Sequence, residues 1–126
     1  MSALIGRLSK LTGPRYTMDV AIALATDFWP KDRIQNIVYN DDGEPWVYFT
    51  DGPDLPLPPA YTASVDAAIA LAERVLPNER VWINRIAFDS NHQWRASLTD
   101  NHVSWGINPA IALLIALLRA KEASKP

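Results

Sequence analysis

His92 and His102 are the two histidines of the chain, with Asp89 and Asp100 close to them in sequence. A histidine–aspartate pair can shuttle protons near neutral pH or hold a metal ion. Both histidines fall in polar stretches, where solvation is the ordinary state. Cysteine is absent, which removes disulfides, thiolate metal sites and cysteine nucleophiles. Asp41, Asp42 and Glu44 crowd carboxylates together, but they lie in or beside Asn40-Asp41-Asp42-Gly43, a turn-forming run that accounts for them. The five glycines form no phosphate-cradling loop, and neither His-Glu-x-x-His nor Gly-x-Ser-x-Gly occurs. These residues form no recognised catalytic or phosphate-binding motif.

A binding constellation is better supplied. Tyr61, Thr62 and Ser64 stand before an amphipathic stretch, at a helix N-terminus whose free N–H groups favour an anion. Arg85 and Arg95 fall on the two strand-like runs that follow, and Trp46, Trp82, Trp94 and Trp105 offer flat faces for stacking. Guanidinium, aromatic ring and helix terminus together suit a nucleotide or another anionic ring compound. The expected ligand-binding set is Tyr61, Thr62, Ser64, Arg85, Trp94, Arg95 and Trp46. Against it stands the structural use of the same residues, since hydroxyls cap helices and tryptophans fill cores. On that reading Trp82 and Trp94 belong to the core, and Trp46 and Trp105 to contact surfaces. Exposed Trp, Tyr and Arg are also the types enriched at protein-binding hot spots. A strand edge near Trp46 followed by a proline-rich stretch suits β-augmentation.

The elements that must position these groups read as follows. Residues 1–12 form a short helix or a loose arm, ended by Gly13-Pro14. Thr17 caps a helix from Met18 to about Phe28, with Asp19 in its first turn and Pro30 beyond its end. Residues 34–50 form a hairpin about Asn40–Gly43, and Pro45 marks its second run as an edge strand. The prolines between 51 and 59 make a stiff connector. Thr62 or Ser64 caps the next helix, which buries Val65, Ala68, Ile69, Ala72 and Leu76 and stops at Pro77. Residues 81–88 are apolar on both faces and read as a central, doubly covered strand. Residues 93–100 alternate as a half-exposed strand, antiparallel to it, and Val103–Ile107 adds a third. Asn108 and Pro109 open a final helix that is apolar all round, so it is buried in the core or in a subunit interface. Residues 121–126 read as a frayed tail. The run Asp19–Ala25 echoes Asp66–Ala72, as two small-residue helices that pack closely do.

The chain has 126 residues, close to the usual size of one domain, about 100–150 residues. With 48% hydrophobic and 21% charged residues it reads as a single globular domain over 1–126, neither disordered nor fibrous. Its net charge of −2 lacks the basic surplus of a general nucleic-acid binder, so nucleic acid is disfavoured as a partner. The most apolar run, Ala110–Leu118, is well short of the about 20 residues that cross a bilayer, and the N-terminal stretch lacks a secretory apolar core. No membrane association is expected.

Tyr61-Thr62-Ala63-Ser64-Val65-Asp66-Ala67-Ala68, then a helix, two strands and Pro109-Ala110-Ile111-Ala112-Leu113, resembles the phage ABA sandwich domain family over roughly residues 59–120. Gly13-Pro14-Arg15 followed by Asp19–Ala23 is similar to the N-terminal helix of its longer members. The resemblance implies an α+β fold in which helices flank a small antiparallel sheet, an α–β–α sandwich. It also implies a phage origin and brings no assigned activity or catalytic residue. The expectation is a non-enzymatic phage accessory protein of the host cytoplasm. It would act by stoichiometric binding, against host antiviral defence, by sequestering a nucleotide-like signal or occupying a host protein. The alternative is a phage assembly protein that forms homo-oligomers through its apolar C-terminal helix. A hydrolase built on His92 and Asp100 is the third reading.

Overall fold

Asn108 and Pro109 open the helix around which the rest is assembled. The Asn108 side chain accepts a hydrogen bond from Ile111 N at 2.7 Å, and proline at the first helical position loses no bond there. From Ala110 to Leu118 every residue of this helix is buried. A cylinder apolar on all sides needs cover on all sides, and that need arranges the other elements.

The computed structural model describes residues 2–50, 57–89, 92–98 and 102–123. The helices are α1 (Ser2–Ser9), α2 (Tyr16–Ala25), α3 (Val65–Val75) and α4 (Pro109–Ala123). The strands are β1 (Ile34–Tyr39), β2 (Pro45–Phe49), β3 (Val81–Asp89), β4 (His92–Leu98) and β5 (His102–Gly106). β1 and β2 form an antiparallel hairpin, and β3-β4-β5 form an antiparallel sheet in that order. The α+β class holds as expected, with helices against a small antiparallel sheet. α4 packs on the inner face of β3-β4-β5, and α1 and α3 close over its other side. The hairpin lies against α2.

Side-chain parity fixes which sheet face turns inward. Ala96, Leu98 and Ser104 are fully buried towards α4, with Val81 and Ile83 partly buried beside them. Gly106 brings β5 so close to α4 that a Cβ there would stand 2.7 Å from Ala112 N. Arg119 of α4 donates to the buried Ser104 hydroxyl at 3.1 Å, so that polar group is satisfied.

Several sequence expectations are corrected. Residues 2–9 are a helix and not an arm, because Leu8 is fully buried and Ile5 nearly so. α2 starts at Tyr16 with Arg15 as its N-cap, and Thr17 turns its hydroxyl to Glu44 instead of capping. It also ends before Phe28. Asp27 takes a left-handed conformation (φ 56°), and Phe28 N donates back to Ala23 O at 2.9 Å, which closes the last turn. β3 is an edge strand and β4 is central. Apolar residues on both sides of β3 do not require two covered sides, and Trp82 stands 49% exposed. α4 continues to Ala123, and only 124–126 of the predicted frayed tail lie outside the described residues, as do 51–56 of the connector and the turn at 90–91. The apolar surface of α4 is consumed within its own chain, so oligomerisation through that helix loses its basis.

Other expectations are met. The hairpin, its turn (Gly43 φ 77°), Ser64 as the cap of α3 through Ala67 N, and the end of α3 at Leu76 all follow the sequence reading. Among the described residues no helix is long and apolar enough to cross a membrane.

Two substitutions test this packing in opposite directions. Gly106→Ala forces β5 off α4 and is expected to lower stability by about 1–3 kcal/mol, as overpacked sites do. Asp27→Gly removes a left-handed non-glycine residue and is expected to raise it by about 1 kcal/mol. Urea midpoints measured at unchanged m check both.

Candidate ligand-binding face

Just before the helix terminus expected to attract an anion, the chain binds one of its own carboxylates. Asp19 of α2 accepts from Thr62 N and from the Thr62 hydroxyl, each at 2.8 Å. Arg15 N donates to the same hydroxyl oxygen at 2.9 Å, and Asn108, the cap of α4, donates through its side chain to Thr62 O at 3.0 Å. Thr62 is fully buried and Asp19 almost so. Burial pushes the Asp19 carboxyl above its ordinary value, while the two bonds from Thr62 pull it back. Tyr61 is buried as well, and its hydroxyl is raised by desolvation, opposed by a bond from Arg74. Arg74 also donates to Thr26 O at 2.8 Å, so it closes the C-terminal end of α2. Tyr61 and Thr62 are buried joints between helices, and Ser64, half-buried, is spent on capping α3.

The carboxylates near the hairpin turn serve a second joint. Glu44 is buried and accepts from Arg15 Nε at 2.5 Å, from the Thr17 hydroxyl and from the Asn40 amide at 3.2 Å. These bonds, that from Arg15 foremost, hold its carboxyl down at about 2. Arg7 of α1 donates to Gly43 O at 2.6 Å and Asp42 O at 2.7 Å, which pins the turn onto the helix. The turn is therefore a docking device for the hairpin. His92 pairs with Asp89 at 2.9 Å on the surface, and among the described residues no group of three His, Cys, Asp or Glu side chains gathers for a metal. The side chain of His102 lies outside the described residues, as does Asp100.

The remaining members of the expected set separate by strand parity. Arg85 lies over the Trp94 ring at 5.9 Å to its centroid, a cation–π pair across β3 and β4 on the inward-facing parity, at the end of the sheet. Arg95 faces the other way. Trp46 lies on the hairpin, apart from both. The structure thus breaks the expected constellation into three places.

What it assembles instead is the outer face of β3-β4-β5. Asn84, Arg95 and Trp105 stand side by side in one row across the three strands, and Trp82, Ser97 and Val103 form the next. Trp82, Trp105 and Val103 are 49%, 44% and 36% exposed, Asn84 and Arg95 are exposed, and Ser97 is half-buried. Arg95 is the one charge among these six residues. Sequence reasoning placed Trp82 in the core. The signal that would have moved it out was the polar company it keeps at alternate positions, Asn84 on its own strand and Arg95 and Ser97 on the next.

Hollows also lie elsewhere, among them these two. One of about 490 Å3 between α1, α2 and the hairpin is walled by Ala3, Leu4 and Ala21, and its guanidinium, Arg7, is committed to the turn. The other, about 180 Å3, is an aromatic cleft between α2 and β2 lined by Tyr16, Trp29, Trp46 and Phe49 and by the chain's own Leu57 and Pro58. Trp29, unassigned in the sequence reading, is buried there edge-on to Phe28 and Phe49. No protein-family model, curated protein or solved structure matches this chain.

The two polar joints titrate in opposite senses. Glu44 is ionised and bonded in the fold, with its carboxyl at about 2 against an ordinary 4.5. Its contribution is complete above about pH 4.5 and is lost as the pH falls towards about 2. Glu44→Gln is expected to lower the urea midpoint at pH 7 and to flatten the decline between pH 4.5 and 2. At the other joint, Asp19→Asn keeps an acceptor for Thr62 and is expected to cost little. Asp19→Ala strands the buried Thr62 amide and is expected to lose about 1–3 kcal/mol by the same measurement.

Proposed function

We propose that this chain is a non-enzymatic binding protein whose working surface is the outer face of the β3-β4-β5 sheet, and that it captures a base-bearing anion. The observation that carries the reading is the row Asn84–Arg95–Trp105 with Trp82 and Ser97 in the next row, exposed on a sheet whose other face is sealed by α4. Indole rings give flat surfaces for stacking, the guanidinium gives the countercharge for a phosphate, and the amide and hydroxyl give directional bonds to a base edge. No acid–base pair or metal cluster stands among these six residues, so the surface holds a ligand and does not transform it.

The resemblance to phage ABA sandwich proteins supplies the setting for this reading. It is a phage accessory protein in the host cytoplasm that withdraws a nucleotide-bearing molecule from antiviral defence by stoichiometric capture. A second reading, occupation of a host protein, is favoured by the outer face of the hairpin. There Val38 stands opposite Trp46 and Asn36 opposite Tyr48, and the three larger side chains are all about half exposed and uncharged.

Tryptophan emission reports the first reading directly. Titration with mononucleotides, cyclic dinucleotides and short oligonucleotides is expected to quench emission saturably at one ligand per chain, with the ligand recovered unchanged. Trp105→Ala is expected to weaken the best of them about tenfold or more. A panel in which nothing perturbs the emission would remove this reading and leave the hairpin face.

A further inference from the structure

The distance between the two exposed indoles bears on the length of the ligand. Trp82 lies on β3 and Trp105 on β5, two strands apart, and the register places them one row apart along the strands. With strands about 4.8 Å apart and about 3.4 Å per residue along them, their Cα atoms are separated by roughly 12 Å. One base covers one indole. Bases along one strand of a duplex rise about 3.4 Å each, so roughly 12 Å is about three and a half stacked steps. A mononucleotide or dinucleotide falls short, and even a strand drawn out to nearly twice that rise needs three nucleotides to reach both rings. Arg95 lies between the two rings, where the linking phosphates of such a ligand would pass.

Form and charge point the same way. Small molecules are held in concave sites that bury most of their surface. The outer face is a row-by-row array of exposed side chains on an open sheet, shaped for something laid across it. Arg95 has no carboxylate beside it among the six residues of the face, so the complement is anionic. A second copy of this chain docked face to face about a two-fold axis through the centre would set Arg95 against Arg95. That arrangement is repelled, which argues against self-association as the use of this face.

We infer that the ligand of this face is a single strand of nucleic acid of three or more nucleotides, stacked on Trp82 and Trp105 with a linking phosphate on Arg95. The inference rests on the reading of the face as a site for base-bearing anions and narrows it to a strand. It departs from the expectation drawn from the net charge of −2, because the potential at the contact surface governs binding and the six residues of the face carry one cation and no acid. A strand held chiefly by stacking and one phosphate contact binds with weak salt dependence, with a slope of about −0.7 in the logarithm of affinity against that of salt.

The full chain is titrated with thymidine monophosphate, a cyclic dinucleotide, an eight-residue oligothymidylate, an eight-residue oligouridylate and polyglutamate, with tryptophan emission as the readout. Either oligomer is expected to bind about a hundredfold more tightly than the monophosphate, and the two together tell whether the sugar matters. Trp82→Ala and Trp105→Ala are each expected to weaken the oligomer about tenfold, and Trp105→Tyr to restore most of that loss. Arg95→Gln is expected to weaken the oligomer and flatten its salt slope by about 0.7. Circular dichroism and a thermal melt confirm that each variant folds, as the exposure of these side chains leads one to expect.

An oligomer that binds no more tightly than the monophosphate or the cyclic dinucleotide would overturn the strand and leave the base-binding face standing. Polyglutamate binding as tightly as the oligomer would overturn it in favour of an acidic protein partner. Silence from every nucleotide would remove both proposals together.

Discussion

One buried threonine holds the two halves of this chain in register. Thr62 takes Asp19 through its amide and hydroxyl, Arg15 N through the same oxygen, and Asn108 through its carbonyl. Those contacts reach the first turn of α2, the residue before α2, and the cap of α4, and Ser64, which caps α3, stands two residues on. The starts of α2 and α4 therefore meet at this one fully buried residue, two positions before the cap of α3. The buried Asp19 carboxylate is matched there by the Thr62 amide and hydroxyl, both directed at it.

With Thr62 and Asp19 spent on each other, the exposed aromatic and charged side chains lie on the surface that packing does not use. α4 seals the inner face of β3-β4-β5, and its own far side is closed by α1 and α3. Gly106 permits the closeness of that contact, and the Arg119–Ser104 bond satisfies the polar group within it. The outer face is left open by the same arrangement. Tryptophan on an open sheet face contributes little to the stability of the fold that carries it, and such rings are the common anchors of binding surfaces.

How far the fold could be read in advance differed from residue to residue. The hairpin, α3 and α4 were legible because their signals are local: Asn40–Gly43 for the turn, Ser64 for one cap, Asn108-Pro109 for the other. The early end of α2 was not legible, because a left-handed Asp27 is a conformational choice and no breaker residue marks it. Position within the sheet was also hidden. The apolar content of β3 says that it touches a core but not how many sides are covered, and strand order is set by pairing partners elsewhere in the chain. The expected binding set is dispersed for a related reason. Residue type singles out Arg95, but parity decides which rings share its face, and those are Trp105 and Trp82, not Trp94 and Trp46. Nothing in the spacing marks Thr62 and Tyr61 as engaged, because their partners, Asp19 and Arg74, are distant in sequence.

The succession β3, β4, β5, α4 has a consequence for the order in which the molecule is made. Each of these elements contacts the next in the chain, by antiparallel pairing or by packing of α4 onto β5. Contacts between near neighbours close short loops and form fast. The Thr62–Asp19 bond joins residues 43 apart, and the Arg74–Thr26 bond residues 48 apart. Loop closure therefore favours the C-terminal sheet and its sealing helix as the part that forms first. By contrast, α1 and α2 reach their places only through contacts distant in sequence, apolar at Leu8 and polar at Asp19 and Thr26. On this order the outer sheet face takes shape before the N-terminal elements dock.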